Sequence, residues 1–228
     1  AAVSNTDGSI TTQVSANQTA GFSIVKGTMT SGTDTLGHGL GKAPKMVITK
    51  QTNGTTGWYT WHTGIPITET LKLHTSADST SFSHWVTLPT DSVFSMGSGF
   101  GSGQIYVAYC FVEIEGFSKF GSYVGNQNAD GPFVYCGFKP AWVMVKKTDG
   151  SSSGRWLIHD SSRNPTNPVE LFLQADRTNS EDTSTTTSTD FLSNGFKIRG
   201  TNINQNKSGC TYIFMAFAES PFQTANAK

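Results

Sequence analysis

The same series of landmarks occurs twice along the chain. Gly21-Phe22-Ser23 is answered by Gly116-Phe117-Ser118, Pro44 by Pro140 and Trp58 by Trp156. Leu71-x-Leu73 is answered by Leu171-x-Leu173, Phe94-x-Met96 by Phe196-x-Ile198, and Gly103-x-x-Tyr106-Val107 by Gly209-x-x-Tyr212-Ile213. The separation widens from about 95 to about 106 residues without reversing, far longer than a solenoid repeat and the size of one β-rich domain. Six collinear pairs with rising offsets are the pattern of a repeat whose second copy has taken up small loop insertions. The fold must therefore be one that about a hundred residues can complete, twice.

Each copy reads as β. GLGKAPKMVITK at 39–50 and GFKPAWVMVKK at 137–147 both run a Gly/Pro turn into a central-strand sequence rich in β-branched residues. Asn53-Gly54 has hairpin-turn chemistry, because both residues tolerate positive φ. With 24 glycines, 11% aromatic and 14% charged residues, no stretch carries the period of a long amphipathic helix. The expected fold is all-β: two tandem, internally duplicated β-sandwich lobes, mainly antiparallel. A polar leader or linker is expected over 1–20, with an edge strand at 9–14, then a first repeat over 21–115, a second over 116–218 and a polar tail over 219–228. The pattern further predicts a strand over 82–88 and a long strand over 105–114, buried on both faces in its first half. A surface loop is expected across 175–190 and one continuous strand over 191–199.

Composition narrows the function. Net charge is zero and the pI about 7.2, so there is no basic footprint for nucleic acid or an anionic membrane surface. No apolar run approaches the roughly 18 residues of a membrane-spanning helix. Three cysteines in apolar contexts, Cys110, Cys136 and Cys210, predict buried free thiols and assembly in a reducing cytoplasm. A chain that opens on Ala1 is expected to be a processed product or part of a longer polypeptide.

The motifs that could carry chemistry lack their structural context. Gly150-Ser151-Ser152-Ser153-Gly154 matches a nucleophile elbow, but both flanks read as strands where a helix must leave. The glycines between Gly97 and Gly103 lead into a strand rather than the helix of a phosphate cradle. Asn126-x-Asn128-x-Asp130-Gly131 begins like a calcium loop, yet its twelfth position is Gly137. Glu113 and Glu115 share a strand face, but nothing sets them across a cleft as a glycosidase requires. The five histidines show no ligand spacing; His38, before a Gly-Leu-Gly turn, is expected to serve as a structural hydrogen-bonding group. No catalytic, cofactor-binding or metal residue is assigned, and no enzyme is expected. Trp58 and Trp156 recur, so they are expected to anchor the cores together with Pro44, Tyr106, Pro140 and Tyr212. Trp61 and Trp85 have no counterparts. With Asn164 and Asn167 in a copy-specific loop, they are the expected ligand or partner surface, since an exposed ring beside amides can cover a sugar face.

Several of these stretches carry a family resemblance. Ser15-Ala16-Asn17 leading into Gly21-Phe22-Ser23-Ile24-Val25, then His38-Gly39-Leu40-Gly41-Lys42-Ala43-Pro44 and Trp58-Tyr59-x-Trp61-His62, belong to the first copy. The second copy adds Gly137-Phe138-Lys139-Pro140 with Trp142, Asn194-Gly195-Phe196-Lys197-Ile198-Arg199 and Gly209-x-Thr211-Tyr212-Ile213. The chain resembles, over 9–218, a duplicated β-domain found in virion and tail-fibre-like proteins of tailed bacteriophages, notably those of marine bacteria and cyanobacteria. The resemblance implies a virion structural protein, assembled in the host cytoplasm, that serves in a tail fibre or similar appendage and contacts the host surface. It also admits a capsid decoration (cement or head-fibre) protein, and the residues alone admit a carbohydrate-binding module of a bacterial surface protein. Expected partners are other virion proteins and a host cell-surface glycan, with no nucleic acid and no membrane insertion. A homo-oligomer is expected, a trimer first.

Overall fold

The computed structural model describes residues 1–30, 32–150 and 154–220, nearly all of it β, and the chain divides into two units. The first comprises Ala1–Leu73 and Ser79–Ile114. Its strands are β1 (Val3–Asn5), β2 (Thr12–Asn17), β3 (Phe22–Thr28), β4 (Asp34–Gly37), β5 (Met46–Gln51), β6 (Trp58–His62), β7 (Glu69–Lys72), β8 (Thr80–Ser81), β9 (Val93–Met96) and β10 (Ile105–Phe111). They form an antiparallel sheet ordered β1-β2-β3-β10-β5-β6-β7-β8 and a separate antiparallel pair, β4-β9.

The second unit comprises His74–Asp78 and Glu115–Lys228. Its elements are β11 (Ser118–Val124), β12 (Phe133–Tyr135), β13 (Pro140–Lys147), β14 (Trp156–Asp160), β15 (Leu171–Gln174), β16 (Asp182–Thr183), β17 (Thr189–Leu192), β18 (Gly195–Ile198), the single-turn helix α1 (Ile203–Asn206) and β19 (Thr211–Ala218). The large sheet is ordered β11-β19-β13-β14-β15-β16 and the small one β12-β18-β17. Strand for strand, the order β3-β10-β5-β6-β7-β8 of the first unit equals that of the second unit's large sheet. Registers agree as well: Lys50 faces Trp58 where Lys146 faces Trp156, and Leu36 faces Phe94 where Val134 faces Phe196. Gly103 and Gly209 both sit at φ 74°, with open space where a Cβ would stand, so the left-handed backbone itself selects glycine there.

In each large sheet the last strand in sequence lies between two others, and its side chains sort by parity. In β10, Tyr106, Ala108 and Cys110 are buried and face the core, while Ile105, Val107, Tyr109 and Phe111 are half-buried on the opposite face. The expected burial of both faces is thus corrected to one, as strand alternation demands. In β19, Tyr212, Phe214 and Ala216 join Tyr123, Val143, Val145, Leu157, Phe172 and Phe196 in the second core. Tyr106 donates its hydroxyl to Gln104 Oε1 at 2.7 Å, and Tyr212 donates to the Ile203 carbonyl at 2.6 Å, so both buried phenols are satisfied. Pro44 and Pro140 are buried at the starts of the paired central runs. All three cysteines are buried and free.

Residues 1–20, expected as a polar leader with an edge strand at 9–14, hold strands β1 and β2. Strand β2 pairs along β3 from Gln13 opposite Lys26 to Asn17 opposite Phe22, and Ile10, Thr12 and Val14 are buried in alternation with exposed neighbours. Short polar residues masked a half-buried strand. The segment at 74–78, expected inside the first repeat, belongs to the second unit. There the Ser76 carbonyl accepts from Gly154 N at 3.0 Å and Lys146 Nζ at 3.3 Å, and Asp78 pairs with the fully buried Lys147 at 3.5 Å. Two adjacent lysines buried in a strand require such acceptors.

Three further expectations change. No strand forms over 82–88: β8 ends at Ser81, and the chain then turns and is held by the Ser95 hydroxyl, which accepts from Val86 N and Thr87 N and donates to the Thr87 carbonyl. The loop over 175–190 contains β16 and the buried run Thr187-Ser188-Thr189, bonded through Thr189 to Val169 and through the Thr186 carbonyl to Asn202 N. The strand over 191–199 is a hairpin turning at Ser193-Asn194, with Leu192 opposite Gly195.

Candidate functional site

Three of the five tryptophans depart from expectation. Trp61 and Trp85 are 3% and 4% exposed. Register puts Trp61 across from Val47 on the sheet side that carries Cys110, and Trp85 meets Phe100 edge-on at 5.5 Å. Trp58 lies on the other side of β6, half-buried and stacked on Tyr109 at 6.2 Å. Trp156 is buried, but beside Lys146, whose Nζ stands 6.0 Å from the ring, and it is no member of the second core cluster. Strand parity was legible, but which parity faces inward was not. Asn164 accepts from Glu170 N and Asn167 brackets the Phe191 backbone with its amide, accepting from N and donating to O at 2.9 Å each. Trp61 and Trp85 are thus core residues of the first unit, and Asn164 and Asn167 hold the backbone of the second.

The other motifs are equally committed. Ser151–Ser153 lie outside the described residues. The glycine run holds a short 3-10 turn, Ser98–Phe100, that sends the Phe100 ring into the core. Asn126, Asn128 and Asp130 form consecutive Asx turns, and the Asp130 carboxylate is taken by Lys197 at 2.8 Å. Among the described residues no group of three His, Cys, Asp or Glu side chains is arranged to hold a metal. His38 is wholly buried, with Nδ1 accepting from Leu40 N and Nε2 near the Thr90 carbonyl at 3.2 Å, as expected of a structural imidazole. His84 is enclosed by the Tyr59, Phe82 and Phe100 rings, with neither ring nitrogen hydrogen-bonded.

What the surface does present is a pair of aromatic side chains on β12. Phe133 is 46% and Tyr135 63% exposed, and their i, i+2 spacing puts both on the same face while Val134 enters the core. Phe133 stands opposite Lys197 in β18, and Tyr135 opposite Gly195. A Cβ at Gly195 would lie 2.1 Å from the Val134 carbonyl, so no side chain can occupy the position across from Tyr135. Beside the rings lies an ion network: Lys197 Nζ to Asp130 at 2.8 Å and to the Gly131 carbonyl at 2.9 Å, Arg199 Nε to Asp190 at 3.4 Å, and Arg199 to Asp130 at 3.8 Å. Hydrogen bonding and attraction from Lys197 hold the Asp130 carboxyl below the usual carboxylate range. The face therefore offers two apolar rings flanked by fixed charged donors and acceptors.

The first unit shows what this position looks like when it is structural. Its counterparts of Phe133 and Tyr135 in β4 are Thr35 and Gly37. Thr35 exchanges hydrogen bonds with Ser9 at 2.8 Å, and the space beside Gly37 is filled by the Asn5 side chain. In the second unit bulky rings stand at both positions and are left in water. The landmarks on either side pair Phe133 and Tyr135 with other residues, so this correspondence emerges only from the registers of the two small sheets.

A family model described as a domain of unknown function, DUF7483, matches residues 1–221. The chain belongs to the DUF7483 family. No curated protein and no solved structure matches it. The described residues of both units lie within the DUF7483 match, including the N-terminal strands β1 and β2.

Proposed function

We propose that this chain is a binding protein, not an enzyme: a structural module of a tailed-bacteriophage particle, carried on a tail fibre or similar appendage, whose second unit contacts glycan on the host surface. The observation that carries the reading is the exposed Phe133–Tyr135 pair, at positions where the otherwise matching first unit has the covered Thr35 and Gly37. An aromatic ring covers the apolar face of a pyranose while neighbouring charged and amide groups take its hydroxyls. Lys197, Arg199, Asp130 and Asp190 supply those groups within one small sheet and its flanking turn. The phage setting comes from the resemblance of the repeated landmarks to virion and tail-fibre-like domains.

Labelling assembled particles with an antibody to this chain tests the placement. Signal at the tail tip or along fibres is expected. Signal spread over the head would replace the appendage by a capsid decoration role, and absence from every particle would sink the virion reading.

A further inference from the structure

A second site lies in the same unit and shares no residue with the aromatic face. An open cleft of about 570 Å³ is walled by Arg155, Gln174, Arg177, Asp182, Asn202 and Asn204, with the edge of Phe172 among them. That volume suits a ligand of one or two sugar residues. Its hydrogen-bonding inventory is unbalanced in an informative way. Asn202 Oδ1 accepts from Asn204 N, and Asn204 Oδ1 from Arg155 N, while the NH₂ donors of both amides are uncommitted among the described residues. Arg155 is neutralised by Asp176 at 2.9 Å, a carboxylate with no exposed side-chain surface. Arg177 is exposed, and its guanidinium makes no hydrogen bond or ion pair among the described residues. Opposing these donors is Asp182, an exposed carboxylate that keeps one oxygen beyond the bond from Thr183 N.

We infer that this cleft binds a carboxylate-bearing sugar residue, its carboxylate on Arg177 and the Asn202 and Asn204 amides, its hydroxyls donating to Asp182. A simple anion would use the donors but offer the Asp182 carboxylate only a second negative charge. A neutral sugar would leave the Arg177 guanidinium with no charged partner. Only a ligand carrying both an anionic acceptor and hydroxyl donors answers the whole inventory.

The test is titration of the full chain with sodium glucuronate, glucose and sodium acetate, followed by calorimetry and by the side-chain NH resonances of arginine, asparagine and glutamine. Glucuronate is expected to bind saturably, with glucose and acetate each weaker by about tenfold or more. Arg177→Ala, an exposed change that leaves the fold intact, is expected to bring glucuronate down to the glucose level, and Phe133→Ala with Tyr135→Ala to leave it unchanged. Equal binding of acetate and glucuronate would overturn the inference in favour of a plain anion site. Unaltered glucuronate binding by Arg177→Ala, or none by the wild type, would overturn it outright.

Discussion

Replacing Trp61 by alanine is expected to destabilise the first unit by about 3–5 kcal/mol, the range for deleting a large buried aromatic. Trp61 is 3% exposed, sits in β6 across from Val47, and its indole nitrogen finds no hydrogen-bond partner among the described residues. Its contribution is therefore packing alone, and Trp61→Phe should retain most of it. Urea unfolding of the two variants measures the difference. Glycan binding by the folded fraction of Trp61→Ala should equal the wild type, because the ring has no surface to offer. A loss of stability below about 1 kcal/mol, the scale of an ordinary surface change, would contradict the placement of Trp61 in the core.

Acid should destabilise both units well before their carboxylates are protonated. His84 and His159 are buried, and burial pushes each imidazole down to about 4; Lys72 adds to the shift at His84, while the Thr187 carbonyl and Asp160 oppose it at His159. An unfolded histidine titrates near 6.5. Between about 6.5 and 4 the unfolded chain therefore binds protons that the folded chain refuses, and stability falls as pH falls through that window. The loss should be on the order of 2–3 kcal/mol for each histidine and complete once the pH is below the folded values. Above pH 7 the two groups contribute no pH dependence. Unfolding midpoints measured at pH 7 and pH 4.5 read the effect, and a His84→Phe, His159→Gln double variant should flatten the dependence. A wild-type midpoint unchanged over that range would show the imidazoles to be accessible to protons in the folded state.

Much of the architecture was legible because the repeat and the strand period are both local signals. Val143-Met144-Val145 and its counterpart Val47-Ile48-Thr49 declare central strands, and Gly103 and Gly209 fix the same left-handed turn before Tyr106 and Tyr212. Non-local facts were not legible. Alternation divides Trp58 from Trp61, but only the packing of Phe100, Tyr106 and Trp85 against one face tells which tryptophan is inside. Thr12 and Val14 sit in a polar run that reads as a leader until β3 is beside them. Ser76 and Asp78 leave the first unit because the buried Lys146 and Lys147 require acceptors that no short-range pattern reveals. The aromatic pair is hidden for a related reason. Tryptophans without counterparts stand out in the sequence, whereas the informative mismatch is Thr35 and Gly37 against Phe133 and Tyr135, visible only once the two small sheets are in register.

The account rests on that aromatic face. Its most direct measurement is retention of the intact protein on host envelope polysaccharide, comparing the wild type with Phe133→Ala/Tyr135→Ala. Both rings are exposed, so the double variant should keep the wild-type unfolding free energy to within about 0.5 kcal/mol. The account predicts that its retention falls by about tenfold or more, the equivalent of at least ~1.4 kcal/mol of binding free energy. A folded double variant that binds as tightly as the wild type would contradict it.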